Sequence, residues 1–167
     1  METPVSLTQA DIAEGASVGQ ALLGLNNAHA VALSWLSAAQ FRYLVAQSFL
    51  AMRVGDSDAL LLAFDQDAAY DSPNFLWFRS RFARFVYVDR VVVAAGARGR
   101  GYARRLYAEL FAEARGAGHR QVVCEVNADP PNPGSDAFHA ALGFRVVGSA
   151  HLADRGKTVS YLIRPLA

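Results

Sequence analysis

The sequence predicts an α+β fold: a single domain over residues 1–167, with one mixed sheet and flanking helices. Three observations predict it. A strand, a helix and a second strand follow one another between Phe85 and Asn127. Such a run returns the chain to the same end of the sheet, so its two strands lie parallel. Hairpin signals at Phe49–Phe64 and Arg145–Ile163 bracket that unit and supply antiparallel neighbours. Hydrophobic residues make up 53% of the 167 and charged ones 19%, which suits one core and not a disordered chain.

Val5–Leu7 reads as a short edge strand. Thr8–Leu25 is helical in pattern, weakened by Gly15 and Gly19, and the asparagines of "NNAHAV" end it. Ser37 suits the cap of a helix over Ala38–Gln47, because its hydroxyl can accept an unpaired amide of the first turn. "FLAMRV" and "ALLLAF" flank the turn "GDSD" and form a hairpin. Asp65–Phe85 is a loop holding a short helix, and Pro73 keeps its beginning irregular. Phe75, Trp77 and Phe78 either pin that segment to the core or make it a wall over a pocket.

Phe85–Val93 is a strand whose two-residue period puts Tyr87, Asp89, Val91 and Val93 on one face. In the helix after it, Ala103, Leu106, Tyr107, Leu110 and Ala114 recur at helical spacing, and Gly116 to Gly118 stop it. Gln121–Asn127 is a second strand. The rigid loop "ADPPNPG" leads to a short helix within Ser135–Phe144, and "RVVGSAHL", "ADRGK" and "TVSYLI" close the chain as a hairpin.

Between the central strand and its helix lies "AAGARGRGYA". A helix start exposes amides without intrahelical partners, and the helix dipole favours an anion there. Gly96, Gly99 and Gly101 bare the backbone, and Arg98 and Arg100 add charged donors. A pyrophosphate fits several converging amides; a tight turn with solvated arginines is the plainer reading. A phosphate loop with lysine followed by serine or threonine is excluded by the residues. A dinucleotide turn is disfavoured by Arg104 at the third small position, although Glu125 lies at a compatible distance.

These residues resemble the GNAT superfamily of N-acetyltransferases. Arg98, Gly101 and Ala103 fall on the family's Arg/Gln-x-x-Gly-x-Gly/Ala pattern, and "NPGSDAFHAALGF" is similar to its second block. The similarity covers about Phe85 to Phe144 and points to a branch whose acceptors it does not name. It implies splayed central strands with acetyl-coenzyme A between them. Val91, Val92 and Val93 would pair with the pantetheine arm, and Arg98, Gly99, Arg100, Gly101, Tyr102 and Ala103 would hold the pyrophosphate. Asn132, Ser135 and Phe138 would shape the outer arm and the thiol end. The implied activity is direct transfer of acetyl to a primary amine of a small molecule or peptide. A coenzyme A-binding sensory module without efficient turnover has the same marks.

Acetyl transfer needs a base for the amine, a donor for the thioester oxygen and a fate for the thiolate. Glu125 stands amid apolar strand residues, so it needs a partner or a raised pKa; it is a base, directly or through water, or a structural acceptor. Asp89 and Tyr87 are further base candidates; the first could equally pair with an arginine, the second fill the core. Asn127 shares the parity of Glu125, and Cys124 points to the other face as a core residue. His139 stands where the family commonly has a tyrosine acid, and an imidazolium could take that role.

Sixteen basic and fifteen acidic residues leave a charge of +1, which marks neither a nucleic-acid binder nor a membrane-attached protein. The lone Cys124 and an opening without a leader pattern suggest the cytoplasm. His29, His119 and His151 lack ligand spacing, so no metal is expected. Arg79, Arg81 and Arg84 are available to an acidic acceptor. A monomer or homodimer is expected.

Overall fold

The computed structural model describes residues 2–167. Its strands are β1 (Val5–Ser6), β2 (Leu50–Val54), β3 (Ala59–Asp65), β4 (Val86–Val93), β5 (Gln121–Asp129), β6 (Arg145–Leu152) and β7 (Lys157–Pro165). They form one sheet in the order β1-β2-β3-β4-β5-β7-β6. Only β4 and β5 run parallel, so the sheet is mixed, as expected for the α+β class. The helices are α1 (Gln9–Ile12), α2 (Ser17–Ala28), α3 (Ala30–Leu33), α4 (Ala38–Gln47), α5 (Pro73–Arg79), α6 (Tyr102–Gly116) and α7 (Pro133–Ala141). None is long and apolar enough to cross a membrane among the described residues.

The N-terminal helical stretch differs from the expectation. It breaks at Gly15, which has φ +79°, but does not stop at the asparagines. Asn26 and Asn27 lie inside α2 because their side chains hold the chain that follows. Asn26 donates to the Ser34 carbonyl at 3.0 Å, and Asn27 exchanges bonds with Leu36 at 2.9 Å in both directions. The Ser37 cap forms as expected, with Gln40 completing a capping box.

Two apolar cores cover the two faces of the sheet. One gathers Leu22, Phe41, Leu62, Phe75, Phe78, Tyr87 and Tyr161; the other gathers Leu61, Val86, Leu106, Tyr107, Leu110, Val122 and Phe144. Helix α5 has seven residues, too few to persist alone, and starts on Pro73. Packing holds it: Phe75 and Phe78 are fully buried, each stabilising by roughly 1.5–3 kcal/mol. Trp77 stacks on Tyr161 with ring centres 4.2 Å apart. Gly148 makes room for it, since a Cβ there would stand 2.5 Å from the Trp77 ring.

The centre of the sheet opens. Strands β4 and β5 pair only at Val86–Val122 and Tyr87–Val123. Immediately beyond, Leu62 pairs with Arg90 and Ala63 with Val88, so Asp89 is the extra residue of a bulge. A bulge bends its strand and breaks the two-residue period. The expected shared face of Tyr87, Asp89, Val91 and Val93 is therefore wrong. Tyr87 and Val92 belong to the first core, whereas Val91 and Val93 pack against the second.

Candidate active site

Two cavities meet where β4 and β5 part. The larger, about 1000 Å³, is walled by α4, α5, the loop before α5, and the turn between β6 and β7. The smaller, about 180 Å³, is a slot between the diverging strands and α6 and α7. Glu125, Asp89, Arg90 and Lys157 line both.

Glu125 is the carboxylate at this junction. Its Oε1 accepts from Asn74 Nδ2 at 3.0 Å and its Oε2 from the Tyr87 hydroxyl at 2.8 Å. Asn74 is itself fixed by the Tyr161 hydroxyl, which donates to its Oδ1 at 2.9 Å. Trp77 and Gly148 thus reach the carboxylate through Tyr161 and Asn74. Burial pushes the Glu125 pKa up to about 7; the Tyr87 and Asn74 hydrogen bonds hold it down, and the neighbouring Asp89 raises it further. As a residue Glu125 is half-buried. Burial, then the Glu125 charge, pushes the Tyr87 hydroxyl well above its ordinary range, so it stays protonated as a donor.

Asp89 is closed off. It accepts from Arg90 Nε and from the Tyr70 hydroxyl, both at 2.7 Å, and 4% of its side chain is exposed. Arg90 also donates to Asn26 Oδ1 at 2.8 Å, tying the bulge to α2. The pair joins the loop before α5, the sheet and the N-terminal helices into one wall.

On the slot side His139, on α7, is buried against Tyr107 of α6 and Phe144. Its Nδ1 lies 2.8 Å from the Ser135 carbonyl, which can only accept, so Nδ1 carries the hydrogen. Nε2 therefore accepts from the Tyr107 hydroxyl at 2.8 Å. Burial holds the imidazole pKa below its usual value, although the Ser135 carbonyl acts the other way. The imidazolium expected from sequence is disfavoured by desolvation. Burial also pushes the Tyr107 hydroxyl and the Cys124 thiol well up, which keeps both protonated.

The glycine-rich turn leads into α6 through a short 3-10 segment, Ala95–Ala97. Gly101 stands at the N-cap with φ +77° and no side-chain cap. Gly99 has φ +79°. A Cβ at Gly101 would meet nothing within 4 Å, so backbone conformation, not crowding, demands glycine there. The first amides of α6 are left for an anion. Arg98 and Arg100 are exposed beside them; Arg98 lies 3.4 Å from His29 and Arg100 curls to the Gly96 carbonyl.

Of the other sequence candidates, Val91, Asn127, Asn132 and Ser135 line the slot. Val92 is buried and Val93 half-buried. Asn132 caps α7 through Ser135 N at 3.2 Å, and Phe138 packs on Tyr107. Tyr102 is buried and Ala103 half-buried at the start of α6. Sequence reasoning missed Asn74, Tyr161, Tyr107 and Lys157 as site residues. A buried asparagine in an aromatic helix was the available signal for Asn74; nothing local marked the others. No group of three or more potential metal ligands occurs among the described residues.

The sequence pattern of the acetyltransferase (GNAT) family matches residues 65–144, just under half of the chain. No curated protein matches the chain. Among solved structures, the ribosomal-protein alanine N-acetyltransferase of Escherichia coli overlays with TM-score 0.70 at 16% identity, covering 100% of this chain and 95% of its own. A Salmonella typhimurium protein solved with its cofactor acetyl-CoA gives 0.70 at 18%, covering 100% and 95%. The NatC complex bound to Gag peptide and CoA gives 0.73 at 13%, covering 99% of each chain. At these identities the likeness concerns the fold.

Proposed function

The chain has the fold of the GNAT acetyltransferase superfamily, and from that premise we propose that it transfers acetyl from acetyl-coenzyme A to a primary amine of a small molecule or peptide. The observation that carries this reading is Glu125, poised near neutrality on the wall shared by the two cavities. The amides of Arg98 to Ala103 would hold the coenzyme pyrophosphate, and Val91 to Val93 would receive the pantetheine arm beside the slot. The thioester then reaches the junction from one side and the amine from the other.

Glu125 takes a proton from the incoming ammonium, directly or through one water, and Asn74 and Tyr87 aim its carboxylate. Asp89 serves as the counter-charge of Arg90 and not as a second base. The departing sulfur lies on the slot side, where both His139 nitrogens are occupied. The donor there is the Tyr107 hydroxyl, whose hydrogen turns from Nε2 toward the sulfur. Its raised pKa keeps the proton on oxygen, so it steadies the thiolate by a hydrogen bond. His139 is its resting acceptor.

On this reading the protein works in the cytoplasm and uses no metal. The test is incubation with acetyl-coenzyme A and a broad set of amines, followed by mass spectrometry and thiol release. Acetylated amine and free thiol in equal amounts are expected. Coenzyme binding with no acetylated amine would overturn the activity and leave a coenzyme-sensing module.

A further inference from the structure

The larger cavity carries an uneven charge. Arg79, Arg155 and Lys157 line it, and no ion pair or hydrogen bond of their side chains occurs among the described residues. Arg79 lies over the Phe75 ring, 5.5 Å from its centre. Against them stand Asp71, which is exposed, and Glu125, which is only partly ionised near neutrality, since the Asp89 charge is cancelled by Arg90 at 2.7 Å. Lys157 is half-buried and lines the slot as well, so it stands nearest the junction; Arg79 and Arg155 are exposed at the rim. Arg81 and Arg84 do not share in this. Arg81 lies over Trp77 and donates to its carbonyl, and Arg84 donates to the Ala117 carbonyl.

We propose that the cavity takes an amine whose own chain also carries a carboxylate or a phosphate, held by Lys157 with Arg79 and Arg155 at the mouth. Cations in a protein-walled cleft focus their field on an anion and form charge-assisted hydrogen bonds with it. A diamine would bring its second ammonium against the same cations. The proposal rests on the acetyl-transfer reading, because it treats the cavity as the acceptor site.

Calorimetry on the coenzyme A-saturated protein separates the two claims. The probes are γ-aminobutyrate, aminopropyl phosphate, butylamine and diaminobutane. At least one anionic probe binds about tenfold tighter than butylamine or better, and diaminobutane binds weakest. Whichever anionic probe is tighter names the group. In Arg79→Gln/Arg155→Gln/Lys157→Gln the anionic-to-neutral ratio falls to about one. Butylamine or diaminobutane binding equally well, no probe binding, or a ratio that survives the triple substitution overturns the subsite. Anionic probes that bind but acquire no acetyl once acetyl-coenzyme A replaces coenzyme A uphold the subsite and overturn acetyl transfer.

Discussion

On the two sides of the parting between β4 and β5, burial acts in opposite directions on Glu125 and on His139. On the cavity side it raises a carboxylate, Glu125, to about 7. On the slot side it lowers an imidazole, His139. Both changes favour the uncharged form, yet their chemical results differ. The carboxylate becomes a group that exchanges protons near neutrality. The imidazole stays neutral with both nitrogens occupied, and the nearby hydroxyl of Tyr107 becomes the useful donor. In the proposed reaction, environment more than residue type assigns the roles: acid–base work to one face and hydrogen-bonding of a sulfur to the other.

The largest effect expected is from Glu125→Gln, which keeps shape and removes the base. The acetyl-transfer step measured by rapid mixing should fall about 10²–10⁴-fold. Coenzyme affinity should hold. The same change alters stability. The folded pKa is raised from 4.5 to about 7, so the fold binds the extra proton between those values and loses stability as pH rises through that window. Urea unfolding of Glu125→Gln should lack that slope, with a gain at high pH of about 1–3 kcal/mol. An unchanged slope would place the carboxylate in a wetter setting than the geometry implies.

The slot side should respond less. Tyr107→Phe is expected to slow the chemical step about 10²-fold, the scale of losing one preorganised donor to a developing anion. His139→Phe leaves the hydroxyl in place and should cost only about tenfold. The reverse order would make His139 the direct donor. Of similar size, but on binding and not on the chemical step, is Gly101→Val, which forces a β-branched residue to φ +77° at the open start of α6. Coenzyme affinity by calorimetry should drop roughly tenfold while thermal unfolding moves by only a few degrees. Smallest is Asn74→Leu. It removes a donor that holds the Glu125 pKa down, so the pH–rate midpoint should rise by about one unit or less. A midpoint that falls would contradict the assigned bond.

Local rules carried much of this into view. The crossover of β4, α6 and β5, both hairpins, the Ser37 cap and the glycine-rich turn each depend on neighbours in sequence. Glu125 was visible because a carboxylate in "VVCEVN" violates the pattern around it. What stayed hidden depends on distance. The bulge at Asp89 follows from pairing with β3, and no parity count within β4 could detect it. Asn74 and Tyr161 meet across 87 residues, and Tyr107 and His139 across 32. The asparagines of α2 look like helix breakers until the loop they bind is in place.

The central claim is that Glu125 is the base at the junction of the two cavities. The most direct measurement is the pH dependence of the single-turnover acetyl-transfer rate, with saturating coenzyme and acceptor, for the parent and Glu125→Gln. The account predicts a parent rate that rises with pH through a midpoint near 7, and a variant whose slow rate lacks that midpoint. A variant that keeps the parent's midpoint and most of its rate would contradict it and move the proton's destination to another group.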